Sequence, residues 1–181
     1  MKLGVYRIPP IVAAATMIDV AASVGKDPLP ESFGIGPDHL EEALDKQGVD
    51  ILDVVLVRTG TGGVWLKGDG VGANEEEIAG PDLAGLTLSA VKWLVEEKGA
   101  LAIGSDTSAV EVRPPNEQLE DGTSFNPAHA YLLVRQGVHN LEFHNLENLA
   151  EDKAYKVAYV LGVNKIQGTA AGTILRPVGL V

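Results

Sequence analysis

Apolar runs alternate with amphipathic stretches along this chain, and their spacing predicts an ordered series of strands and helices. Residues 12–20 are apolar at nearly every position and read as a buried strand, followed by a connection through Gly25, Pro28 and Pro30. Gly36-Pro37-Asp38 opens a helix: proline fits the first turn, and Asp38 and Glu41 sit at its positive end. Leu40, Ala43 and Leu44 form the buried stripe of that helix, and Gly48 stops it. Residues 50–59, with Val54, Val55 and Val57, are apolar on both faces and so belong at the centre of a sheet. Residues 60–72 read as a glycine-rich loop carrying Trp65.

The second half continues the alternation. Residues 87–97 form an amphipathic helix with Leu86, Ala90, Val91 and Leu94 inward, closed by Gly99. A short strand over 100–103 leads to Gly104-Ser105-Asp106-Thr107, and residues 114–126 are polar and turn-rich. A helical segment then carries His129 on one face with Leu132, Leu133 and Gln136, ending at Gly137. The strand after it puts Leu141 and Phe143 on one face and Asn140, Glu142 and His144 on the other. A helical turn over 149–154 and strands over 155–166 and 173–181 complete the chain. Strands alternating with helices indicate an α/β fold, a mixed β-sheet with flanking helices.

Composition narrows the partners. The chain has 181 residues, 45% hydrophobic and 22% charged, enough for a single folded domain over 1–181 with its own core. A net charge of −11 argues against nucleic acid and anionic membranes as partners. Cysteine is absent, which excludes disulfides, thiolate catalysis and Cys-ligated metal, and fits a reducing cytoplasm. The apolar run over 11–22 is interrupted by Asp19 and opened by Pro9-Pro10, so it does not read as an export signal. No apolar stretch has the length of a membrane span.

The candidate chemistry lies around the histidines. His129 on its helix, with Glu142 and His144 on the next strand face, offers the residue types of a divalent-metal site. The ordinary alternative for His129 is a satisfied core histidine. Glu142, an acid within an apolar strand, needs a cation, a metal or an arginine such as Arg135 or Arg176 beside it. Asp106, at the end of a strand, either orients a histidine or bonds backbone N–H groups in a turn. Arg58-Thr59-Gly60-Thr61-Gly62-Gly63 lacks the Lys-Ser/Thr ending of a phosphate loop and reads as a loop shaping a pocket. His39 reads as a solvated surface histidine, and His139 as packed with Leu141 and Phe143.

Six segments, in order, are similar to the cyclase family of metal-dependent hydrolases, which includes bacterial kynurenine formamidase and isatin hydrolase. They are Pro9-Pro10-Ile11-Val12 through Asp19-Val20-Ala21, Asp53-Val54-Val55-Leu56-Val57-Arg58-Thr59-Gly60, Ile103-Gly104-Ser105-Asp106-Thr107, His129-Ala130-Tyr131-Leu132-Leu133, Gly137-Val138-His139-Asn140-Leu141-Glu142, and Gly172-Thr173 with Arg176-Pro177. The resemblance implies a swivelling β/β/α fold. It also implies a divalent metal, zinc or manganese, held in part by His129 and Glu142, and hydrolysis of a formamide, cyclic amide or lactone (arylformamidase-like chemistry). Trp65 is the candidate apolar wall against a small aromatic amide or lactone. The family's His-x-Gly-Thr-His-x-Asp-x-Pro-x-His motif, which carries its other ligands and its catalytic histidine, lies upstream of Pro-Pro-Ile-Val; the residues before Pro9 hold neither His nor Asp. Ala14-Ala15 stand where the family commonly has Arg-Gly. The chain thus resembles the C-terminal portion of a member, with no catalytic residue of its own assigned. Faces around residues 12–20 and 54–57 are expected to seek cover, through a homo-oligomer or a partner chain supplying the N-terminal segment. The alternative is a catalytically inactive binding or assembly module that retains the fold.

Overall fold

A computed structural model describes residues 5–66, 79–122, 124–168 and 172–181, with only the backbone at 64–66. β1 (Ile11–Asp19) passes directly into α1 (Val20–Val24), because the Asp19 carboxylate caps the helix by accepting the Ala22 N–H at 3.0 Å. After β2 (Gly34–Ile35), α2 (Pro37–Gln47) keeps the bounds its sequence predicts: proline at its start and Gly48 at φ +65° just past its end. β3 (Val54–Arg58), α3 (Thr61–Leu66) and β4 (Gly85–Leu86) follow. α4 (Leu88–Lys92) runs on as a π-helical stretch over Trp93–Glu97 into β5 (Ala102–Ser105). α5 (Pro127–His129) likewise runs on over Ala130–Gln136, then β6 (His139–Leu141), α6 (Glu147–Glu151), β7 (Lys156–Leu161) and β8 (Val178–Leu180).

The main sheet has the order β6-β5-β3-β1-β7-β8. β6, β5, β3 and β1 are parallel, β7 pairs antiparallel with β1, and β8 pairs antiparallel with β7. β2 and β4 form a separate short parallel pair. This is the mixed sheet with flanking helices that the alternation predicts. On one face Ile18, Val55, Val57 and Ile103 pack under Leu40, Ala90, Leu94 and Leu132 of the helices. On the other, Ala15, Met17, Val54, Leu56 and Ala102 pack with Tyr159, Leu161 and Leu146, beside the partly buried Leu149 and Ala150 of α6. β3 and β5, the central pair of the parallel strands, are covered on both sides, which is why β3 is apolar at every position up to Arg58.

The helices leave the antiparallel part of their own face bare. Two cross-strand rows, Val12-Val160-Val178 and Ala14-Ala158-Leu180, follow from the register. Val12, Val178 and Leu180 are 74%, 47% and 57% exposed. The expectation of bare faces therefore holds for the first half of β1 and is corrected for residues 54–57, all of them buried. Among the described residues no helix is long and apolar enough to cross a membrane.

Local expectations also change. The loop expected over 60–72 gives way to α3 from Thr61. Leu86 belongs to β4 rather than to the following helix. The strand after Gly137 ends at Leu141, because Phe143 takes φ +56° and breaks the alternation. The last two strands are shorter than expected, leaving residues 162–168 and 172–177 outside them.

Candidate metal centre

Polar groups gather at the carboxyl ends of the parallel strands, where open α/β sheets place their sites. Asp19 ends β1, Arg58 ends β3, Asp106 follows β5 and Glu142 follows β6. α5 descends beside β6 and brings His129 to Glu142, with Nε2 and Oε1 2.9 Å apart. Asn140 Nδ2 lies 2.8 Å from the same Nε2 and donates to Glu142 Oε1 at 3.2 Å. On the other side of the ring, Nδ1–H donates to the buried carboxylate of Glu111. Burial opposes charge on His129, but its bonds to Glu111 and Glu142 outweigh that cost and lift its pKa to about 9.

His144 is not part of this group. With the alternation broken at Phe143, it turns to the opposite side of the sheet, where Nε2 meets the Tyr159 hydroxyl at 2.9 Å. Burial there pushes its pKa down to about 4. Arg135 pairs with Asp121, so it is not the counterion of Glu142. His139 is half-buried on β6, as its packed reading requires. His39 is half-buried rather than solvated: Nδ1 accepts the Gly36 N–H at 3.1 Å at the start of α2, and its ring meets Phe33 edge-on. The Trp65 side chain lies outside the described residues.

Asp106 orients no histidine and instead closes the loop after β3. It accepts the N–H groups of Thr59 (2.9 Å), Gly60 (2.9 Å) and Gly62 (3.2 Å), and the Thr59 hydroxyl at 2.8 Å. Burial pushes its carboxyl above the usual range, and these donors pull it back down. The glycine-rich turn does open into a helix, but the N–H groups that could cradle a phosphate are taken by this carboxylate. Behind the loop, Arg58 bonds Glu147 through two nitrogens at 2.9 and 2.8 Å, Asp27 at 2.8 Å and Asp19 at 3.1 Å.

The donor set suits a divalent ion: one imidazole nitrogen and one carboxylate oxygen converge, and the Asn140 Oδ1 beside them is buried without a partner among the described residues. It is a partial set, because no group of three or more His, Cys, Asp or Glu among the described residues could hold a metal ion. Sequence reasoning missed Glu111 and Asn140. Glu111 had a signal, an acid inside the apolar stretch Ala109-Val110-Glu111-Val112.

A family model described as "Putative cyclase" matches residues 3–112. The crystal structure of a novel cyclase superposes with a TM-score of 0.76 at 28% identity, over 94% of this chain and 54% of the other. Isatin hydrolase A from Labrenzia aggregata, bound to benzyl benzoate, gives 0.65 at 21% identity, over 97% of this chain and 64% of the other. An isatin hydrolase bound to the product analogue thioisatinate gives 0.69 at 21% identity, over 94% and 60%. The chain thus spans from 54% to 64% of the length of these proteins. No curated protein sequence matches it.

Proposed function

Because the chain belongs to the cyclase family, we propose that it is the His129–Glu142 portion of a metal-dependent hydrolase acting on an aromatic formamide, cyclic amide or lactone. The observation that carries this reading is the 2.9 Å approach of His129 Nε2 to Glu142 Oε1 at the carboxyl edge of the parallel strands. Zinc or manganese is the proposed ion, and when bound it supplies Lewis acidity toward the substrate carbonyl. His129 and Glu142 hold it, and Asn140 steadies the Glu142 carboxylate by donating to Oε1. We assign one wall of the site to the loop after β3, which Asp106 holds, and Trp65 is the proposed apolar surface for the aromatic ring. The aromatic molecules bound to the two isatin hydrolases, benzyl benzoate and thioisatinate, favour that substrate class.

Two ligands leave most of a tetrahedral shell open. We assign the remaining ligands and the proton-transferring group to another segment or another subunit, and regard 1–181 as one cytoplasmic domain. The bare rows Val12-Val160-Val178 and Ala14-Ala158-Leu180 support assembly through that face, with a second copy of the chain as the proposed occupant. The second reading, a non-catalytic module, is favoured by one observation, the absence of a third acidic or imidazole ligand among the described residues.

Calorimetric titration with zinc and manganese tests the choice. The 181-residue chain should bind weakly, and both His129→Ala and Glu142→Gln should abolish what binding there is. Wild type and variants titrating alike would remove the metal reading and leave the module.

A further inference from the structure

Resting on the metal reading of His129 and Glu142, we propose that Glu111 is the positioning residue of this site: its carboxylate fixes which nitrogen of His129 is presented to the ion. Glu111 is 2% exposed, and a buried carboxylate is costly unless its lone pairs are met by donors. Among the described residues, its donors all come from one place, the start of α5. The Ala128 N–H reaches Oε2 at 3.0 Å, the His129 N–H reaches Oε1 at 3.2 Å, and His129 Nδ1–H donates to Oε1 as well. The two backbone bonds hold the carboxylate in one orientation, and that orientation aims it at Nδ1. A neutral imidazole carries one ring proton. When an ion takes the place of the Nε2 proton, now shared with Glu142, the remaining proton stays on Nδ1 against Glu111 and the Nε2 lone pair points to the ion.

The backbone that delivers Glu111 is strained and clamped. Val110, immediately before it, has φ +58°, a region that a β-branched residue enters at a cost of about 1–3 kcal/mol. It stays there because the segment is tied to β4 and its approach. The Leu86 N–H bonds Val110 O at 2.9 Å, the Val112 N–H bonds Leu86 O at 3.0 Å, and Leu83 and Arg113 exchange bonds at 3.0 and 2.9 Å. Gly85 lies so close that a Cβ there would sit 2.5 Å from the Glu111 carbonyl carbon. Strain maintained by surrounding contacts concentrates where the placement of a side chain matters, and the side chain placed here is Glu111.

Two measurements test the assignment, with zinc as the probe. Competition with a chromophoric chelator should show Glu111→Gln binding zinc about 10–100-fold more weakly than wild type, the usual effect of losing such a partner. Long-range ¹⁵N–¹H correlation on zinc-loaded wild type should show His129 protonated at Nδ1 and zinc-bound at Nε2, a readout that needs no variant to fold. Unchanged affinity in a folded Glu111→Gln, or zinc on Nδ1 in wild type, would overturn the positioning role while sparing the metal site. Wild-type affinity indifferent to His129→Ala would overturn the metal reading and this role with it.

Discussion

Replacing Arg58 with methionine tests how the carboxyl edge of the sheet is held together. The Arg58 side chain is 5% exposed and faces three carboxylates: Asp19 at 5%, Glu147 at 25% and Asp27 at 53%. Burial disfavours its charge, yet the bonds to Glu147 and Asp27 and the proximity of Asp19 outweigh this and raise its pKa further. Methionine keeps the length and apolar stem and deletes the charge. Glu147 and Asp27 can turn toward water, and an exposed arm such as Asp27 is worth about 0–1 kcal/mol. Asp19 cannot turn away, because it is buried and committed to the Ala22 N–H at the start of α1. Its stranded charge sets the cost at about 3–5 kcal/mol. That is a large share of the roughly 5–15 kcal/mol typical of a whole domain. Urea unfolding followed by circular dichroism should show the midpoint falling by about 2 M, taking a slope of about 2 kcal/mol/M. Adding Asp19→Asn should recover part of the loss, since asparagine caps a helix equally well and carries no charge. A loss below about 1 kcal/mol in Arg58→Met, or no recovery in the double variant, would refute the argument that an unpaired Asp19 dominates.

Asp106→Asn offers one acceptor oxygen where Thr59, Gly60 and Gly62 now present N–H groups to two, and should cost about 3 kcal/mol in thermal or urea melts. Gly85→Ala drives a Cβ against the Glu111 backbone and should destabilise by about 1–3 kcal/mol in the same melts. If Glu111 positions His129, zinc affinity should fall along with it in chelator competition. Val12→Asp combined with Leu180→Asp places charge in both bare rows and should move the sedimentation profile toward monomer, with the circular dichroism unchanged.

Patterns carried within one element were legible in the sequence. Pro37 and Gly48 bound α2 because a proline nitrogen costs nothing in a first turn and glycine accepts φ +65°. The valines of β3 announced a strand covered on both faces because both faces are covered. Period-two alternation failed one residue past Glu142, where the backbone of Phe143 turns left-handed. That single residue sends His144 to Tyr159 and takes the third expected ligand out of the site.

Partners that arrive from a distant segment were not legible, and they decide what the site can do. Glu142 needed a partner, and spacing alone left arginine, metal and histidine open; the approach of α5 to β6 selects His129. Glu111 reaches the same ring only because residues 110–113 are pinned to β4 and its approach, a link between segments that no local period records. Asp106 and Arg58 follow the same logic, each bonded to groups dozens of positions away in the chain. The carboxyl edge is therefore a set of polar groups that end separate strands and satisfy one another across them. Burying Asp19, Arg58, Asp106 and Glu111 there costs desolvation at each, recovered only when all the crossing partners are in place. Such an edge tolerates little repositioning. His129–Glu142, at 22% and 32% side-chain exposure, is the pair at this edge that joins an imidazole to a partly exposed carboxylate, which is where the proposed cation would enter without dismantling the buried groups.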